Sequence, residues 1–326
     1  MSTILRAPSL GPIIGHVTSS SARVWIRGHD ADDNRTIGVA ALFAGGVYLP
    51  NSAHYFRLRR EYDRTGIAEF SDLAADTNYS VCIGCLSLET PDPLENNTDD
   101  EVFSTLPDAS SWGEQLKKLD TDEAGAQFTT FPAGALDQLA FVFGSCRYPG
   151  LLWTKKRADV IFRSIYEHFN APGAPSKPRF FMMVGDQIYA DTLPKDIGLG
   201  VANSEAEFRD RYLSAFGAPN TRKLLQHVPT YMILDDHEIE DNWVHGRLRE
   251  ASKRHLFNLA IQAYRSYQWY HSPRNYGEYL YYSFACAGFP FFVLDERTQR
   301  IRDDEDYDLS DNYLLGRPDK GTGYKG

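Results

Sequence analysis

The chain has 326 residues, 42% hydrophobic and 24% charged, with nineteen Tyr, nineteen Phe and five Trp. These are ordinary globular values in a chain long enough for two domains, each burying its own core. A net charge of −10 argues against a nucleic-acid binder, whose phosphate contacts need a basic face. No apolar run approaches the length of a membrane-spanning helix, and MSTILRAPSLGP has no basic region followed by an apolar stretch, so a cytoplasmic location is expected. Nothing in the sequence points to a protein partner.

In chain order, short runs with β-type patterning recur over 22–27, 37–43, 55–62, 66–70 and 79–88, with Gly, Asn, Asp and Pro between them. That spacing predicts an all-β sandwich over 1–108. The segment Leu73-Ala-Ala-Asp-Thr77-Asn-Tyr79 resembles the tyrosine corner of fibronectin III/Ig-like sandwiches, and 103–107 reads as the last strand. Cys82 and Cys85 form a CxxC, but a spacing of three places them on opposite faces of a strand, so both are read as small apolar fillers. The stretch 109–137 is rich in Asp, Ser, Gly, Ala and Thr and reads as a linker with one short helix over 112–119.

From 138 to 326 strands alternate with helices. Apolar runs over 139–143, 180–184, 231–234 and 289–294 read as buried strands, with a further strand over 279–285. Helices are predicted over 156–169, from the capping box of Ser204 and Glu207 to 216, and over 248–270. Four of the strands finish in polar clusters: Gly144-Ser145-Cys146-Arg147, Gly185-Asp186-Gln187-Ile188-Tyr189-Ala190-Asp191, Asp235-Asp236-His237-Glu238 and Asp295-Glu296-Arg297. In α/β sheets ligands gather beyond the carboxyl ends of the strands, so the four clusters are expected to converge.

Carboxylates this dense at a strand end repel one another and resist losing water. Fanning into solvent, pairing with basic groups or binding a cation would each relieve them. Cys146, Asp186, Tyr189, Asp236 and His237 are the candidates. A bridging aspartate suits two cations; phenolate and thiolate suit a trivalent or soft metal, and aspartates alone suit calcium, magnesium or manganese. Taken singly, each residue has a duller reading: Cys146 as filler, Gly185-Asp186 as a turn, His237 as a cap, Tyr189 as a core ring. Four such turns in series strengthen the joint reading.

Gly144-Ser-Cys146, Gly185-Asp186-x-x-Tyr189 and Asp235-Asp236-His237-Glu238, in this order, resemble the alkaline phosphatase D (PhoD-like) family of calcineurin-like metallophosphoesterases. Asp295-x-Arg297 is similar to a further segment of that family. The resemblance implies an α/β metallophosphoesterase-like domain over 138–326 behind the sandwich. It also implies hydrolysis of small phosphate monoesters or diesters by metal-bound hydroxide at a dinuclear site. Carried onto this chain, it implies Cys146, Asp186 and Tyr189 as ligands of iron (Fe3+) and Asp186 as a bridge toward calcium, with other divalent metals as substitutes. Asp236 would hold the second metal and His237 would act beside the phosphoryl group. Arg147 and Arg297 are added from the residues themselves, for phosphate contact or for orienting carboxylates, with Asp235, Glu238 and Asn242 in support. Family members are often exported. The family completes its metal site with a GD-x-H segment that this sequence lacks, so the second domain is expected to be incomplete at its C-terminal end. The alternatives are a non-catalytic phosphate- or metal-binding protein, or a metal-dependent enzyme acting on another polarised bond.

Overall fold

The computed structural model describes residues 4–30, 35–88, 96–149, 155–171, 177–191, 201–274 and 279–300. The N-terminal half is two antiparallel sheets. Strands β1 (Ile4–Arg6), β2 (Leu10–Val17), β3 (Ala22–Arg27), β4 (Thr36–Ala44), β5 (Val47–Arg57), β6 (Thr65–Phe70), β7 (Asn78–Ser87) and β8 (Gly125–Thr129) divide between them. One sheet runs β1-β7-β4-β5 with β8 also on β7; the other runs β2-β3-β6. Strands β1 and β8 share one edge of β7, against residues 85–87 and 78–82 respectively. The expected tie-back is present: the Tyr79 hydroxyl accepts from the Ala74 N–H at 2.9 Å. Cys82 and Cys85 are free thiols that pack into different apolar clusters, as strand alternation requires.

Three expectations fail here, each for a local reason. The strand expected at 55–62 begins earlier, at Val47: Pro50 and Asn51 break the apolar pattern of an edge strand, where a missing N–H costs little. The run 103–107 is not a strand. Thr98 and Glu101 form a reciprocal capping box that starts helix α1 (Asp99–Phe103) instead. The stretch 109–137, expected as a linker, holds two short helices, α2 (Gly113–Leu116) and α3 (Thr121–Ala124), and then β8. It closes the larger sheet rather than tethering two bodies.

The second half is built on a parallel sheet, β9 (Val142–Gly144), β10 (Phe181–Val184) and β11 (Thr230–Ile233), with β10 in the middle. Helix α4 (Lys155–Asn170) follows β9. Helices α5 (Glu205–Phe216) and α6 (Pro219–Leu225) lead into β11, and α7 (Ala251–Tyr267) follows it. The helix expected over 248–270 is flanked by 3-10 turns at His245–Arg249 and Trp269–His271. A hairpin, β12 (Tyr282–Cys286) and β13 (Phe289–Val293), ends the described chain.

One apolar core runs through both halves. Strand β2 lies against β11, α5 and α6, and the fully buried Trp25 of β3 donates its indole N–H to the Ser266 carbonyl of α7 at 2.8 Å. Tyr231 of β11 stacks on Phe284 of β12 with ring centroids 3.8 Å apart. Truncating an aromatic buried this completely costs roughly 3–5 kcal/mol, so the seam between the halves is a main source of rigidity beneath the strand ends.

Candidate metal centre

Parallel pairing in register sends β9, β10 and β11 out of the sheet side by side, each into a tight turn. The β10 and β11 turns are pressed together at Gly185. A Cβ on that residue would lie 2.4 Å from the Asp235 Cβ, and its φ of +105° is one that side chains rarely adopt. Cys146 (φ 59°), Asp186 (φ 57°) and Asn242 (φ 54°) are also left-handed. Such conformations in non-glycine residues are uncommon and cluster where surrounding structure imposes a geometry. The imposition is visible between the β9 and β10 turns: the Cys146 and Arg147 N–H groups donate to the carbonyls of Gly185 and Asp186 at 3.1 and 2.8 Å.

Glu238 knits the other two turns. It is 1% exposed, and its carboxylate accepts from the N–H groups of Asp186 (3.0 Å), Gln187 (2.7 Å) and Asp235 (2.9 Å) and from the Gln268 amide (3.0 Å). Burial, with the charge of Asp186, nonetheless pushes its acid up to about 7 against those bonds.

On this frame the predicted residues come together. Ligand atoms of Asp186, Asp236 and His237 all lie within 4.8 Å of one another. The Cys146 thiol donates to Asp186 Oδ2 at 3.3 Å and is hydrogen-bonded to the Tyr189 hydroxyl. Tyr189 stacks on the His237 ring with centroids 4.2 Å apart. Asp186 and Asp236 are buried, 4% and 8% exposed. Burial raises the Asp186 acid, and the charges of Asp235 and Asp236 raise it further. Burial raises the Tyr189 phenol, with Asp186 adding to it. The thiol, the phenol and the Asp186 carboxylate thus lie in hydrogen-bond contact, each shifted toward its protonated form. This donor set fits a cation in chemistry and in charge.

The two arginines sit differently. The guanidinium of Arg147 lies over the Phe162 ring of α4, 5.5 Å from its centroid. Arg297, 8% exposed, donates to Asp235 and to the Trp243 carbonyl. Of the two roles considered for them, Arg297 has the contacts of a group that orients a carboxylate.

One functional residue escaped the sequence reading. Asp191, its side chain 5% exposed, places both carboxylate oxygens 2.9 Å from His237 Nδ1. It fixes the imidazole with Nδ1 as donor. Burial lowers the imidazole's pKa, but the Asp191 hydrogen bond and charge, helped by Asp186 and Asp236, raise it overall. The available signal was an acid five residues after Asp186, closing the same turn. Residues 301–326, on which the expectation about the missing GD-x-H segment bears, lie outside the described residues.

Residues 153–320 match the model of the PhoD-like phosphatases. The fold is similar to the solved structure of PhoD, with a TM-score of 0.64 at 17% identity, over 95% of this chain and 58% of that one. Matches to the sensor domain of the anti-sigma factor RsgI4 of Pseudobacteroides cellulosolvens (TM-score 0.19, 11% identity, 27% of this chain and 89% of that one) and to a family 28 exopolygalacturonase of Yersinia enterocolitica (0.20, 11%, 55% and 28%) carry no argument. No curated protein matches the sequence. With more than half of its length matched by the family model, the chain belongs to the PhoD-like phosphatase family.

Proposed function

We propose that the protein is a metal-dependent phosphoesterase whose centre lies at the carboxyl ends of β9, β10 and β11. The observation that carries this reading is the convergence of Asp186, Asp236 and His237 within 4.8 Å, on turns that Glu238 ties together. The proposed centre is dinuclear, with Cys146, Asp186 and Tyr189 around ferric iron and Asp186 and Asp236 toward calcium. A metal pair bound there supplies Lewis-acid stabilisation of the phosphoryl oxygens and an acidic water. The chain's own residues do the rest. Asp191 holds His237 through Nδ1, leaving Nε2 to protonate the leaving oxygen. Arg297 fixes Asp235, and Glu238 fixes the backbone of both acidic turns. The sandwich, read as fibronectin III-like, packs behind the sheet and braces it.

The test is hydrolysis of p-nitrophenyl phosphate and bis-p-nitrophenyl phosphate by the purified protein, before chelation, after EDTA, and after return of iron with calcium. Turnover lost with the metals and regained with them supports the reading, and the two substrates separate monoester from diester preference. Protein that metal analysis shows to be loaded, yet that hydrolyses neither ester, is a metal- or phosphate-binding protein and overturns it. The iron assignment has its own readout. Phenolate or thiolate on ferric iron gives a visible charge-transfer band, which Tyr189→Phe or Cys146→Ser should shift or erase. A colourless, active protein holding only zinc or calcium removes iron and leaves the phosphoesterase.

A further inference from the structure

Beside the acid cluster three aromatic rings meet in series. The His237 imidazole stacks on the Tyr189 ring with centroids 4.2 Å apart, and the Tyr189 ring meets that of Tyr148 at 5.2 Å and 86°, an edge-to-face pair. Tyr189 is 9% exposed, whereas Tyr148 is 49% exposed. A continuous aromatic wall therefore runs from the imidazole to open solvent. The hydrolytic reading gives a task to the two inner rings and none to Tyr148.

The outer ring is held by the same turns that hold the acids. The Tyr148 N–H donates to the Cys146 carbonyl at 2.8 Å, and the N–H groups of Cys146 and Arg147 before it donate to the carbonyls of Gly185 and Asp186. With Cys146 in the left-handed region, these bonds pin the end of β9 to the β10 turn and set where the Tyr148 side chain leaves the backbone. Other large apolar side chains are exposed, among them Phe143 of β9 and Phe292 of β13. Among the described residues, however, Tyr148 is the one exposed aromatic in ring contact with Tyr189 or His237.

The direction of the wall matters for the reaction. Asp191 takes Nδ1 of His237, so Nε2 is the atom that meets the leaving oxygen. An exposed carboxylate, Asp241, stands 3.9 Å from Nε2, which leaves the rings as the apolar way out from that atom. Aromatic rings bury a large area and pair best with partners that are themselves flat. Resting on the phosphoesterase reading, we propose that Tyr148 is a specificity-determining residue: it forms the outer wall of a leaving-group subsite that favours phosphoesters of flat aromatic alcohols over those of aliphatic ones.

The test compares each ester with itself in two proteins, so that leaving-group acidity cancels. Tyr148→Ala should lower kcat/KM for phenyl phosphate by roughly 3–10-fold more than for trifluoroethyl phosphate, with metal content and Tm as in the parent. Tyr148→Phe, which keeps the ring and loses the hydroxyl, should retain the parent's preference. A second readout needs no turnover. Calorimetric titration of the metal-loaded protein should show phenylphosphonate binding more tightly than methylphosphonate, and Tyr148→Ala should remove most of that difference. Equal losses for both esters would make Tyr148 a support for Tyr189 and overturn the proposal, as would an unchanged preference in Tyr148→Ala. A loaded protein that hydrolyses neither ester overturns the phosphoesterase reading instead. The phosphonates then decide the subsite alone: a ring preference that depends on Tyr148 upholds it, and none overturns it.

Discussion

Two regions of this molecule bury the same kinds of group and reach opposite electrostatic outcomes. At the seam between the sandwich and α7, Arg27 is 1% exposed, yet its donors are engaged. Nε and Nη2 form a fork on Asp63 at 2.8 and 3.0 Å, Nη2 also meets Asp30, and Nη1 reaches the Ser9 hydroxyl and the Gly28 carbonyl at 3.1 Å. Tyr267 of α7 donates to the same Asp63. Burial works against the Arg27 charge, but Asp63 more than restores it. At the strand ends, Asp186, Asp235, Asp236 and Glu238 crowd together, Arg297 answers only Asp235, and both Asp186 and Glu238 are pushed toward their protonated forms. Among the described residues the seam charges are matched, whereas the strand ends keep an excess of acids that the proposed cations would offset. Buried charge by itself therefore says little about function; the excess of one sign does.

The largest effect that separates the regions should come from the reacting groups. His237→Ala is expected to lower kcat by roughly 10²–10⁴-fold with metal content unchanged, because the imidazole is held by Asp191 rather than by the ligand set. Asp186→Asn should lose metal first and activity with it, while the metal-free variant melts no lower than the parent, since a repelled charge has been removed. Metal analysis beside kinetics checks both, and loss of metal from His237→Ala would make the histidine a ligand. At the seam the pattern reverses. Asp63→Asn leaves Arg27 buried without its main partner and should cost about 3–5 kcal/mol in denaturant unfolding, with activity per folded molecule retained. A parent-like stability there would break the comparison.

A smaller effect is expected at Glu238. Three backbone N–H groups point at its carboxylate, and the amide of Glu238→Gln turns an NH2 toward at least one of them. The Asp186 and Asp235 turns should loosen, weakening metal binding by roughly 10–100-fold, as for other groups that support metal ligands. Titration of metal into chelated protein measures it; undiminished affinity would reduce Glu238 to a packing role.

How much of this was legible in advance follows from range. The apolar strands of the second half and the acids behind them are local signals, so the turns at Cys146, Asp186 and Asp236 were readable from pattern alone. Strand β2, LGPIIGHV, was missed because two glycines and a proline disguise a segment that tertiary burial holds extended. Strand β8 was missed because its pairing partner lies some fifty residues away, in β7. Asp191 and the pivotal role of Glu238 depend on contacts across 46 and 51–52 residues, which no local pattern carries.

Protons act on the two regions in opposite directions. His16 and His271 lie at the seam, His271 with no exposure. Burial, assisted by the charge of Arg23, lowers His16 to about 4 and His271 to about 3, from 6.5. Both are neutral in the folded chain near pH 5 and charged in the unfolded one, so the unfolded state takes up more protons and stability falls as pH falls below 6.5. At pH 5 each is expected to cost about 2 kcal/mol relative to neutral pH, and the loss levels off only below the folded values. Asp186, Glu238 and His237 have raised pKa values, so the folded state holds their protons more tightly and metal-free strand ends gain stability over the same descent. A single variant isolates the seam. In EDTA, His271→Gln removes one depressed group and none of the raised ones, so between pH 6.5 and 5 its stability should fall by about 2 kcal/mol less than the parent's, whatever its stability at neutral pH. Chemical unfolding of both proteins across that range measures the difference in slope, and identical slopes would show that the seam histidine is not held neutral.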